Sequence, residues 1–188
     1  MNRRLEDYVF VMKGWLSKDL CRQTVSEMES MEWHQHNFYD VKTGEYAARS
    51  GNRELDISFS DITTKPAIME KIHEAFGFYL QELNMPWFNG WQGFSEVRFN
   101  RYNEDRVMAL HCDHIHSLFD GERKGIPSMT YLSMFNDDYI GGELVMWDNT
   151  VIDVEEGDAI VFPSCFLYPH KVEAVKRGVR YSCVSWAW

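Results

Sequence analysis

The sequence predicts a mainly β chain with N-terminal helices, its strands closing as a jelly roll, the double-stranded β-helix. Three observations carry that prediction. From Gln92 onward, short apolar and often alternating runs are separated by breaks bearing Gly, Pro, Asn or Asp. Before that point, two stretches place apolar residues at helical spacing. No repeat, low-complexity tract or Pro/Ser-rich linker interrupts the 188 residues, a length suited to one domain. We therefore expect a single domain with a helical support region over 1–91 and a jelly-roll core over 92–188.

Taken in order, Ser17 is the expected N-cap of a helix through "KDLCRQTVSEMESMEW", with Leu20, Val25, Met28 and Met31 as a rough apolar stripe. A second helix follows Thr64 over "KPAIMEKIHEAFGFYLQELN", with Pro66 in its first turn. Ile68, Ile72, Ala75, Phe76, Tyr79, Leu80 and Leu83 form its buried face, and His73 reads as a surface or half-buried residue. The strand candidates are "FSEVRFNRY", "RVMALHCDH", "SMTYLSMF", "GELVMWD", "TVIDV", "DAIVFP", "YPHKVEAV" and "RYSCVSWAW". Eight such strands suit a jelly roll, whose mouth is a usual place for a ligand.

Composition narrows the function classes. Hydrophobic residues at 45% and aromatics at 15% describe a globular chain able to line a pocket. A formal net charge of −10 argues against broad, salt-driven binding to nucleic acid or anionic lipid. The opening "MNRRLEDYVFVMKGWL" lacks a continuous apolar run of signal length. Nothing approaches the ~20 apolar residues of a membrane span, so the expectation is a soluble, cytoplasmic protein. Cys21, Cys112, Cys165 and Cys183 form no CxxC pair, which leaves four reduced and mostly buried thiols.

The chemistry concentrates in "LHCDHIH", Leu110 to His116. If "ALHCDH" is a strand, side chains alternate, so His111 and Asp113 share one face while Cys112 and His114 point to the other. A third ligand must come from elsewhere. His34 and His36 read as a surface pair in a loop, whereas His170 lies in a late strand. Two histidines and a carboxylate form the facial triad of non-haem Fe(II) oxygenases. Arg180 follows His170 across the turn "KRG"; an antiparallel hairpin would bring the two together and put Ser182 on the same face. A buried arginine needs an anionic partner, and its planar fork fits a carboxylate. A dicarboxylate bridging metal and arginine would satisfy both.

At this point the sequence resembles the Fe(II)/2-oxoglutarate-dependent oxygenases, in their prolyl 4-hydroxylase-like branch. The matching pieces, in the family's order, are "RYNEDRVMALHCD", "FNDDYIGGEL", "GDAIVFPS" and "PHKVEAVKRGVRYSCVSW", together about the C-terminal half. The resemblance implies that His111, Asp113 and His170 bind Fe(II) and that Arg180 and Ser182 hold the distal carboxylate of 2-oxoglutarate. It implies that Tyr102 reaches the cosubstrate and that Trp186 stands at the site; parity with Arg180 independently puts Trp186 on the inner face. Met134 and Leu144 are expected as apolar walls. Arg98 and Asn100 share parity with Tyr102 and are candidate substrate contacts. The implied reaction consumes O2 and 2-oxoglutarate, releases succinate and CO2, and hydroxylates an unactivated C–H. Related halogenases carry a small residue in place of the carboxylate, so Asp113 favours hydroxylation.

Met108 stands where many relatives have a tyrosine, and "NED" replaces the usual glycine after "RY". Both departures bear on the cosubstrate and the entrance rather than on the iron ligands. Peptidyl proline is the first expected substrate, with a free amino acid or other small metabolite as the alternative. Two readings of another class stand beside these. One is a cupin-like metal site built on His114, His116, Asp120 or Glu122, and His170; it leaves Arg180 without a role. The other is a non-catalytic jelly-roll binding module. "HNFYDVKTGEYAARSGNREL", "MPWFNGWQGF" and "HSLFDGERKGIPS" are expected to form the rim and lid.

Overall fold

The computed structural model describes residues 3–40, 45–47, 51–113 and 126–188. Two helices are present. Helix α1, Lys18–Met28, starts at Ser17, whose side chain accepts the Leu20 N–H, as the N-cap reading requires. Its most buried residues are Cys21, Thr24 and Met28, with Leu20 and Val25 half-buried beside them. Helix α2, Lys65–Leu83, buries Ile68, Ile72, Ala75, Phe76, Tyr79 and Leu83. It ends where Asn84 takes the left-handed conformation at φ 45°, a C-terminal stop that asparagine tolerates. His73 is exposed, as expected. No helix among the described residues is long and apolar enough to cross a membrane.

The strands are β1 Phe10–Met12, β2 His34–Gln35, β3 Phe38–Asp40, β4 Glu45–Ala47, β5 Asp56–Ser58, β6 Arg98–Tyr102, β7 Met108–His111 and β8 Met129–Met134, followed by β9 Ile140–Gly141, β10 Leu144–Met146, β11 Thr150–Ile152, β12 Ala159–Pro163, β13 His170–Val172, β14 Val175–Arg177 and β15 Arg180–Ala187. Seven of them form a large antiparallel sheet in the order β1-β12-β8-β15-β6-β5-β2, and four form a smaller one, β11-β10-β13-β7. Two-stranded pairs β14-β9 and β3-β4 complete the set.

Two expectations are corrected here. The region 1–91 is not only helical: β1 extends one edge of the large sheet through β12, and β5 with β2 extends the other through β6. These strands are two or three residues long, too short for an alternating pattern to announce them. The second correction concerns "YPHKVEAVKRGVRYS". His170 and Arg180 do not face each other in a hairpin. The segment divides into β13, which joins the small sheet, and β14, which pairs with β9. The chain then crosses to the large sheet as β15.

Alternation along the large sheet separates two cores. Phe99, Tyr131, Val161, Cys183 and Ala187 point outward and pack with Ile68, Phe76 and Tyr79 of α2 and Cys21 and Met28 of α1. The residues between them in sequence point inward. Ile160 and Phe162 of β12 and Tyr102 of β6 join Leu144, Met146, Met108 and Val172 of the small sheet in a second cluster between the sheets. At ~25 cal/mol per Å² of buried apolar surface, both clusters contribute to stability, but the inner one also shares its space with polar groups.

Candidate metal centre and its arginine

His111 closes β7 and His170 opens β13, and the two are paired directly across these strands. A register shift lets three steps along β7, Met108 to His111, match two along β13, Val172 to His170. Met108 and His111 therefore both line the cavity, although simple alternation would put them on opposite faces. The strand also ends at His111, so the parity argument for Asp113 rested on a strand that does not reach it. Asp113 is nevertheless turned inward and buried, at 3% exposure. Cys112 is half-buried, not core, for the same reason; all four cysteines are free thiols, Cys21 and Cys183 buried and Cys165 half-buried.

The three side chains converge. His111 Nε2 lies 3.3 Å from Asp113 Oδ1, and His170 Nε2 lies 3.6 Å from Asp113 Oδ2. One donor atom from each falls within 4.8 Å of the others, so the group could hold a metal ion. Both imidazoles are oriented by the same device. Nδ1 of His111 sits 2.8 Å from the Ala109 carbonyl, and Nδ1 of His170 sits 3.1 Å from the Tyr168 carbonyl. Carbonyls only accept, so each Nδ1 carries the proton and each Nε2 is left with a lone pair. Thr130 donates its hydroxyl to Asp113 Oδ2 at 2.8 Å and lies 2.7 Å from the Ser164 hydroxyl.

Charge follows from these neighbours. Burial alone would push the Asp113 carboxyl up. His170, His111 and the Thr130 hydroxyl outweigh it and hold the group well below the usual carboxylate range. Burial pushes the His170 imidazole down to about 4, against the opposite pull of Asp113. At neutral pH the cluster is thus an ionised carboxylate beside a neutral imidazole, the protonation state that metal ligation needs.

Across the cavity stands β15. Arg180 is 2% exposed. Its Nη1 donates to Ser182 Oγ at 3.1 Å, its Nη2 meets Met134 Sδ at 3.0 Å, and its guanidinium lies 4.8 Å from the Tyr102 ring centre. Nε has no partner, and no carboxylate pairs with this cation among the described residues. A buried cation without a counter-charge is costly unless something arrives to meet it. Gly142, at φ +68°, backs the arginine: a Cβ there would stand 3.0 Å from Arg180 Cδ. Burial outweighs Arg180 and Arg98 in raising the Tyr102 hydroxyl, which therefore stays a neutral donor.

The cavity is lined by Arg180, Ser182, Tyr102, Asn100 and Arg98 on one side and His111, Asp113, His170 and Leu144 on the other. Of the expected positions, Met134 is buried beneath Arg180 and touches it through sulfur instead of forming open wall. Trp186 is inward and 8% exposed, but it meets the cavity through Arg98, whose guanidinium lies 5.0 Å from its ring. Leu132, Val172 and Val184 line the cavity as well; they were findable as inward-parity neighbours of residues already singled out. His36 is buried, not a surface residue: its ring meets Phe38 at 4.7 Å, and Phe38 meets His111 at 5.6 Å. His34 is exposed. His114, His116, Asp120 and Glu122, and residues 116–125 of the third rim segment, lie outside the described residues.

A triad of this composition facing a buried arginine defines a class, and comparison with known proteins agrees. The family model for the 2OG-Fe(II) oxygenase superfamily matches residues 97–188. A PKHD-type hydroxylase of Methylobacterium nodulans is 32% identical over 177 residues, covering 89% of this chain and 71% of the relative. The chain belongs to the 2OG-Fe(II) oxygenase superfamily, with PKHD-type hydroxylases among its relatives. A PKHD-type hydroxylase of Shewanella frigidimarina is 35% identical over 94 residues, but that match covers 47% of this chain and only 41% of the relative's length. Among solved structures, a Pseudomonas putida prolyl-4-hydroxylase superposes with TM-score 0.65 at 21% identity, covering 96% of this chain and 91% of the other. A Trichoplax adhaerens prolyl hydroxylase, solved with a hypoxia-inducible-factor peptide fragment, gives 0.68 at 16% identity, covering 96% and 83%. At such identities the likeness speaks for the jelly-roll fold.

Proposed function

We propose that the protein is an Fe(II)- and 2-oxoglutarate-dependent hydroxylase. One observation carries the reading: a buried arginine with no carboxylate partner among the described residues shares a cavity with a His-Asp-His triad. The donor set suits Fe(II), since two imidazoles and one carboxylate leave coordination positions open. Bound there, Fe(II) would supply the O2 activation that couples loss of CO2 from 2-oxoglutarate, leaving succinate, to hydroxylation of a C–H bond.

The chain's own residues supply the rest. His111, Asp113 and His170 hold the ion. Arg180 takes the distal carboxylate with its fork, Ser182 adds a hydroxyl, and Tyr102 donates from its neutral phenol. Leu132, Leu144 and Val184 exclude water around the reacting atoms. Asp113 occupies the position that a halide would need, which favours hydroxylation. The prolyl 4-hydroxylase-like branch supports a prolyl substrate, in a peptide or protein before a free amino acid.

An anaerobic titration with Fe(II) and 2-oxoglutarate tests this. The wild type should develop a weak visible metal-to-ligand charge-transfer band. Arg180→Ala should weaken 2-oxoglutarate binding about 100-fold, the worth of one or two charge-assisted hydrogen bonds. Absence of the band in the wild type overturns the assignment. Succinate release across prolyl peptides and free amino acids then decides the substrate.

A further inference from the structure

Arg180 is not the only arginine left unanswered in the cavity. Arg98 lies four residues before Tyr102 on β6, opposite Val184. It is 9% exposed and lines the same cavity. Its Nε donates to Asn100 Oδ1 at 3.1 Å, and its guanidinium lies against Trp186. No carboxylate pairs with it among the described residues. Beside it, Trp186 Nε1 is a buried donor with no acceptor. An indole donor without an acceptor and a guanidinium with no carboxylate ion-paired to it among the described residues thus meet at the end of the cavity away from Arg180. Trp186 pairs across strands with Thr130, the residue bonded to Asp113.

Asp113 is the nearest carboxylate acting on Arg98, but it forms no ion pair with it. Asp113 is engaged by both histidines and Thr130. In the proposed binding mode the cosubstrate offers one carboxylate away from the metal, and Arg180 with Ser182 takes it.

We propose that Arg98, with Trp186 Nε1 and Asn100, binds a carboxylate of the substrate, so that the hydroxylated molecule carries a free carboxylate close to the oxidised carbon. Free amino acids and the C-terminal residue of a peptide both meet this description; an internal prolyl residue without a nearby acidic group does not. The inference rests on the hydroxylase reading above.

The test uses the anaerobic Fe(II)–2-oxoglutarate complex and reads perturbation of its charge-transfer band, with calorimetric titration as a second measure of Kd. The probes are free amino acids including L-proline, a peptide ending in proline with a free carboxylate, the same peptide amidated, and a peptide with internal proline. The carboxylate forms should bind at least about 10-fold more tightly than their amides. Arg98→Gln should bring that preference to within about twofold, and Arg98→Lys, keeping charge without the fork, should retain part of it. Comparison between the free amino acids and the peptide tells which source is read. Equal binding of carboxylate and amide, a preference that survives Arg98→Gln, or silence from every carboxylate probe overturns the proposal. If the Gln variant does not fold, the wild-type comparison and the Lys variant decide. Absence of the band before any probe is added refutes the hydroxylase reading instead, and is seen separately.

Discussion

The two faces of the large sheet are built from the same strands and follow opposite rules. Outward, Phe99, Tyr131, Val161 and Cys183 lie under α1 and α2 in an apolar core with almost nothing exposed. Inward, one residue along each strand, Arg98, Asn100, Arg180 and Ser182 are buried as well, two of them cations with no carboxylate ion-paired to them among the described residues, and Arg180 Nε lacks an acceptor. A strand's period of two lets a single segment hold the fold together on one side and keep polar groups waiting on the other. Stability and binding should therefore come apart under mutation according to parity.

The sharpest way to break this picture is on the outer face. Phe76 is fully buried and its ring lies 6.2 Å from that of Tyr131. Phe76→Ala should cost about 3–5 kcal/mol of unfolding free energy in denaturant melts. At low temperature it should leave 2-oxoglutarate affinity within a few-fold; a large change would mean that the faces are not separable. Arg180→Met is the inverse experiment. Affinity should fall about 100-fold, whereas the stability of the metal-free protein should be unchanged or higher, because an unanswered buried cation has been replaced by an apolar chain. A clear loss of stability would make Arg180 structural. Smaller still, Thr130→Val removes the hydroxyl that steadies Asp113, and Fe(II) affinity should drop about 10-fold with little change in melting.

A separate test concerns pH. The unfolded His170 titrates near its ordinary 6.5, the folded one at about 4. Between these values the unfolded chain takes up a proton that the native site refuses. Metal-free stability should thus be full above 6.5 and decline as pH falls toward 4. His170→Gln should flatten that decline; an unchanged pH profile would mean that His170 is not buried in its neutral form.

Much of this was readable from residues. The helix over Lys65–Leu83 announced itself by spacing, and "HCD", "PHK" and "RYS" identified the groups that the fold gathers around one cavity. What misled was local continuity. The short spacing from His170 to Arg180 suggested a hairpin, but β14 intervenes and sends the two to opposite sheets, where they face each other across the cavity. Strand parity placed Asp113 correctly for an incorrect reason, since β7 carries a register shift and stops at His111. The burial of His36 could not be read because it depends on Phe38 and its contact with the far side of the metal cluster. Three-residue strands such as β1 and β5 exist by virtue of the neighbours they pair with, a non-local cause that no window of sequence contains.

Gly142 sits behind Arg180. A Cβ there would stand 3.0 Å from Arg180 Cδ and 3.1 Å from Val175 Cγ2, on a backbone at φ +68° that L side chains rarely adopt. Even the smallest side chain would ask the stem of the arginine to give by a few tenths of an ångström, so the aim of the cation draws on a residue that offers no ligand atom of its own.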